Sequence, residues 1–95
     1  MKLLAFSVYD QKAECFGHPF FTSTTGIAAR YLQQWLHNPQ TTISQNPEDF
    51  SLYQVGTWDD NQAKFTTDTP PIFVARASDN TQEQNDMWKK IGGEK

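Results

Sequence analysis

With one cysteine in 95 residues, Cys15, the chain has nothing to form an intrachain disulfide, which excludes a disulfide-stapled secreted scaffold. A free, structural thiol in a reducing compartment is the expectation. No apolar run approaches the roughly 18 residues that a membrane helix requires. The opening MKLLAFSVYD carries one lysine and a short apolar stretch, but it reaches Asp10 without a small-residue cleavage site, so it reads as a strand rather than an export signal. A soluble protein of the cytoplasm is expected.

A basic surplus is missing as well. Eight Lys and Arg stand against eleven Asp and Glu, for a net charge of −3. Strong, non-specific coating of nucleic acid needs the opposite balance, because it works by neutralising phosphates. A local basic face within an acidic whole stays open. No glycine-rich phosphate loop is present, since Gly92-Gly93 lies in a polar stretch with no strand before it. His18 and His37 lack Cys or carboxylate partners at metal-ligand spacing, and a single Cys cannot complete a zinc set. Neither histidine brings a nucleophile motif to Cys15. The carboxylate pairs Glu48-Asp49 and Asp59-Asp60 could meet in space as a metal or acid/base site, yet each sits at a predicted element boundary, where carboxylates cap and turn the chain. The reading is a protein that is not an enzyme and carries no cofactor or metal.

What the chain does have is rings. Aromatics make up 14% of all residues, against 37% for every apolar type together. Phe6, Phe20, Phe21, Trp35, Phe50, Trp58, Phe65 and Phe73 must therefore supply much of the buried area, each ring contributing about 150–250 Å². The length allows one domain with one core, and a chain this short buries only roughly 60–65% of its unfolded surface. Pairing with a second copy would add to that.

Hydrophobic pattern and punctuation then place the elements. Lys2 to Tyr9 reads as a first strand, with Asp10 and Gln11 turning the chain. Gln11 to Phe16 is too short and polar to assign. Gly17, His18 and Pro19 break the chain before a short extended piece at Phe20-Phe21. A helix follows over 24–37, capped by Ser23, Thr24 or Thr25 and stopped by Asn38-Pro39; Ile27, Tyr31, Leu32, Trp35 and Leu36 form its apolar stripe. After a polar loop, Phe50 to Trp58 reads as a second long strand whose Gly56 suggests a bulge or a close backbone approach. Asp59 to Gln62 makes a hairpin loop, 63–67 returns as a strand, and 71–77 forms a last strand, its Pro70-Pro71 pointing to a sheet edge or a strand start. From Ser78 the composition turns polar, and a flexible or marginally helical tail is expected over 78–95.

The expected fold is thus α+β: an antiparallel sheet of three to four strands (about 2–10, 50–58, 63–67 and 71–77) with one helix packed on one face, in a single domain over 1–77. Leu4, Phe6, Val8, Ile27, Tyr31, Leu32, Trp35, Leu36, Leu52 and Val74 are the core candidates. Apolar residues nonetheless fall on both parities of the second long strand: Phe50, Leu52 and Trp58 on one, Tyr53 and Val55 on the other. One helix covers one face, so some apolar surface is left for a partner, a second copy or a bulge to hide. Single-strand binders stack bases on exposed rings beside cations. Tyr53, Trp58 and Phe65 lie on expected strands near Lys64 and Arg76; of these rings Tyr53 and Trp58, with Lys12, Arg30, Lys64 and Arg76 as the basic residues on or beside regular elements, are the candidate nucleic-acid-binding residues.

Four stretches, taken in order, resemble one family: SVYD closing the first strand, QKAECFGHPFF, TTGIAAR at the helix opening, and PEDFSLYQVGTWDD. In order and spacing they are similar to the small nonstructural protein of gokushoviruses, single-stranded DNA phages of the Microviridae, over residues 1–77. The resemblance implies a non-enzymatic accessory protein in the host cytoplasm, binding single-stranded DNA during genome replication or its switch to packaging. It supplies no catalytic residue to carry over. The net charge favours a different expectation, a homodimeric interaction module that engages a phage or host replication protein without touching DNA.

Overall fold

In the computed structural model, which describes residues 1–80, the chain runs through β1 (Lys2–Asp10), β2 (Cys15–Phe16), β3 (Phe20–Thr22), α1 (Thr25–Leu36), α2 (Thr42–Gln45), β4 (Phe50–Asp59) and β5 (Lys64–Arg76). Short 3-10 turns occupy Pro47–Asp49 and Ala77–Asn80. The architecture is α+β, a curled antiparallel sheet with one main helix. Strand β1 lies inside, paired along its whole length with β4 on one edge, while β2 and β3 share its other edge in succession. β5 pairs with β4 and forms the outer edge.

Local chemistry explains the corners. Asp10 turns β1 into β2 by accepting the backbone N–H groups of Lys12 and Ala13 on its Oδ1, at 3.0 and 3.2 Å. The Ser7 hydroxyl donates to the Gly17 carbonyl at 2.8 Å, and the Gly17 N–H donates to the Val8 carbonyl at 2.8 Å, which ties the stretch between β2 and β3 back onto β1. Thr24 caps α1, its hydroxyl oxygen accepting the Ile27 N–H at 3.2 Å. Thr41 repeats the device for α2, accepting from Ser44 at 3.1 Å.

The core joins Phe6, Phe50 and Leu52 of the sheet to Ala28 and Leu32 of α1 and to Ala77, with Leu4, Val8, Phe20, Trp35, Leu36, Ile43, Val74 and Ala75 packed around them. The helix stripe is therefore turned from the expected one. Ala28 and Leu32 are fully buried, whereas Tyr31 is 38% exposed and Ile27 stands outside the core cluster. Tyr31 instead leans on Phe20 and Trp35, with ring centroids 6.0 and 6.3 Å away. Small Ala28 lets the helix backbone come close, a role that a ranking by hydrophobic size passes over.

The sheet has five strands rather than three or four. The pair Cys15–Phe16, left unassigned as too polar, is held as β2 through Tyr9↔Phe16 and Asp10↔Cys15. The stretches 63–67 and 71–77 join in one strand, β5 (Lys64–Arg76), whose pairing with β4 is interrupted at 68–71, where Pro70-Pro71 bulge out of the ladder between Thr67↔Gly56 and Ile72↔Gln54. As the outer strand it has a free edge, where a missing N–H costs no ladder bond. Residues 42–45, expected as loop, make the single turn of α2. The tail expectation for 81–95 lies outside the described residues.

Candidate ring-paved sheet face

The double parity of β4 is resolved by a bulge. β1 pairs with β4 as Phe6↔Gln54 and then Ala5↔Gly56, so Val55 is an extra residue on β4. One added residue reverses which side every later side chain takes. Phe50 and Leu52 thus go to the core, while Trp58, though of the same parity, joins Tyr53 on the other side. β1 supplies Leu3, Ala5, Ser7 and Tyr9 to that side, and the register adds Phe16 opposite Tyr9, Phe21 opposite Ala5, Phe65 opposite Trp58 and Phe73 opposite Tyr53. All five strands contribute to this ring side.

The rings form two groups. In the first, Phe16 lies 4.9 Å from Tyr9 and 5.5 Å from Tyr53, and Tyr53 lies 5.7 Å from Phe73, the last two contacts edge to face. In the second, Phe21 and Phe65 meet edge to face at 6.5 Å. Beside them Leu3, Phe21 and Trp58 line an apolar pocket of about 310 Å³. Gly56 makes the second group possible: a Cβ there would clash with the Phe65 ring edge at Cζ and lie 2.5 Å from the Thr66 carbonyl oxygen. The rings lie on small residues, Ala5 and Ser7, which are almost fully covered. The rings themselves stay in water, with Phe16, Phe21, Phe65 and Phe73 exposed by 42, 43, 42 and 55%.

The basic candidates scatter around this surface. Arg76 pairs with Ser51, which pairs with Tyr9, so it stands in the row of the first ring group. Lys12 is exposed in the turn joining the strands of Tyr9 and Phe16. Lys64 pairs with Asp59 and takes the opposite side of the sheet, where Lys2, Thr57, Asp59, Gln62, Lys64 and Thr66 line a polar depression of about 290 Å³. Arg30 is exposed on α1, two residues from each of the buried Ala28 and Leu32, and joins neither ring group. Tyr53, Trp58 and Arg76 are thereby brought to one side; Lys64 and Arg30 are not among them.

Of the seven ring-side aromatics, Tyr53, Trp58 and Phe65 are readable from the sequence as stacking candidates, with Tyr53 and Trp58 kept as site residues; Tyr9, Phe16, Phe21 and Phe73 are not, because pairings distant in sequence bring them to this side. Among the described residues no group of three or more His, Cys, Asp or Glu gathers as a metal site, and no helix is long and apolar enough to cross a membrane. No curated protein and no solved structure matches the chain. The family model described as phage ORF5 protein matches residues 3–80, and this span holds all of the ring-paved sheet except its first residue, Lys2: the chain belongs to the phage ORF5 protein family.

Proposed function

We propose that this phage protein is a non-enzymatic accessory factor that binds single-stranded DNA on the ring side of its sheet, in the host cytoplasm, during replication of a gokushovirus-type genome or its switch to packaging. In this reading α1 covers one side of the sheet and leaves the other to the nucleic acid. The observation that carries it is the set of seven aromatic side chains, drawn from all five strands, that stay partly in water on one side of the sheet. Stacking of bases on such rings tolerates any sequence, because every base has a π face. The cations are few, so affinity is modest and its salt dependence shallow. Titrating a labelled oligothymidylate with the protein at several salt concentrations tests this; no binding at low salt would overturn it.

One observation favours a second reading. The chain carries net charge −3, and an exposed apolar surface of this kind also suits a protein partner. The protein is then a homodimer that presents its rings to a second copy or to a phage or host replication protein, without DNA contact. Light scattering at micromolar concentration separates the two. A dimer that resists added oligothymidylate supports the second reading, and a monomer that binds it supports the first.

A further inference from the structure

We propose that the sheet end where β1 begins holds a single-nucleotide subsite, with a phosphate between Lys2 and Lys64 and the neighbouring base in the Leu3–Phe21–Trp58 pocket. This rests on the single-stranded DNA reading and places part of the strand. Lys2, Asp59 and Lys64 stand abreast on three adjacent strands, and the next row on the same side brings Thr57 beside Thr66. Neighbouring strands lie about 4.8 Å apart, which sets the two lysine backbones roughly 10 Å from each other. That spacing lets two flexible ammonium groups close on one phosphate from either side.

Both lysines are uncommitted. Among the described residues neither ammonium forms an ion pair, and Asp59 between them is engaged in the turn, its Oδ1 accepting the Asn61 N–H at 3.0 Å. Two cations against one carboxylate leave the depression positive in an acidic protein, with the hydroxyls of Thr57 and Thr66 and the Gln62 amide as further donors. An anion is the ligand that this chemistry selects.

The pocket lies on the other side of the same strand ends, because Leu3 follows Lys2, Trp58 precedes Asp59 and Phe65 follows Lys64. At about 310 Å³, lined by two rings and a leucine, it suits the flat apolar face of one base and has no group to hold a sugar or a phosphate. Lys2 and Lys64 both stand in the last row of the sheet, so their long stems can bring the two ammonium groups round the sheet end to a phosphate beside the pocket.

The test uses the full chain and oligothymidylate. Lys2→Ala with Lys64→Ala should weaken binding at least about tenfold at low salt and make the plot of log affinity against log salt shallower by about 0.7, the contribution of one neutralised phosphate on a single strand. The double Lys→Arg variant should keep the parent slope. Trp58→Leu, or Phe21→Leu if the first unfolds by circular dichroism, should lower affinity without changing the slope. If the parent binds and the double alanine variant keeps the parent slope, the subsite is wrong while the DNA reading stands. If the parent does not bind at all, the DNA reading fails and the subsite with it.

Discussion

The buried cluster on one side of the sheet holds two rings, Phe6 and Phe50, beside Leu32, Leu52 and two alanines, whereas the other side holds seven rings of which none is fully buried. Stability alone would favour covering those seven as well, since each ring contributes most when its whole area of about 150–250 Å² leaves water. Phe20 and Trp35 pack against the buried cluster, so both sides use rings, but only the second side leaves every ring partly in water. The ring side is shaped nonetheless: Gly56 clears room for Phe65, Ala5 and Ser7 make a low floor, and the Val55 bulge aims Trp58 outward. In the proposed reading the two sides differ in purpose, one holding the fold and the other offering apolar area to a partner.

The largest effect expected from that division lies in the core. Phe6→Ala should cost about 3–5 kcal/mol of folding stability in urea melts, because the ring is fully buried among Leu32, Leu52 and Phe20 and its loss leaves a cavity. A cost under about 1 kcal/mol, the range of surface changes, would mean that the core lies elsewhere. Next comes the seam between the sides. Gly56→Ala should cost about 2–3 kcal/mol, since the added methyl meets the Phe65 ring and a backbone oxygen that cannot move aside. An unchanged midpoint would show that Phe65 does not rest on Gly56.

On the ring side the pattern should invert. Phe73→Ser removes a ring that is 55% exposed and touches Tyr53 at 5.7 Å. Stability should move by less than about 1 kcal/mol, while affinity for oligothymidylate should fall by about 1–3 kcal/mol, the contribution of one stacked base. A variant that unfolds yet still binds when folded would assign Phe73 to the fold, and the contrast between the two sides would disappear.

How much of this was legible depended on which signals are local. The helix, its Thr24 cap and the Asn38-Pro39 stop follow from short-range chemistry, and so does the bulge suggested by Gly56. Phe6, Leu32 and Leu52 were readable as core from period alone. What escaped was set by partners distant in sequence. Cys15-Phe16 is a strand only because β1 offers it an edge, and β5 can carry its unpaired 68–71 bulge because it is outermost. Tyr31 looked central in the stripe, but the helix turns toward Ala28, whose small size carries no hydrophobic signal. For the site, Tyr53 and Trp58 were readable as candidates, yet placing them together needed the exact bulge residue, Val55, and composition alone could not separate Arg76 from Lys64 or Arg30.

The smallest predicted effect concerns the turn between β4 and β5, which belongs to neither side. Ala63 sits there with φ 54°, in the left-handed region that costs a residue with a Cβ about 1–2 kcal/mol. Glycine adopts that conformation freely but loses more backbone freedom on folding, so part of the gain is cancelled. Ala63→Gly should therefore raise stability by about 0.5–1 kcal/mol. The turn borders the sheet end where Trp58 pairs with Phe65 and Asp59 with Lys64, yet Ala63 is exposed and lines neither the apolar pocket nor the lysine depression. Binding of oligothymidylate should thus match the parent while the urea midpoint rises. A fall in affinity with the rise in stability would show that the turn's conformation positions the ring side, so that fold and binding surface meet at this hairpin instead of dividing across the sheet.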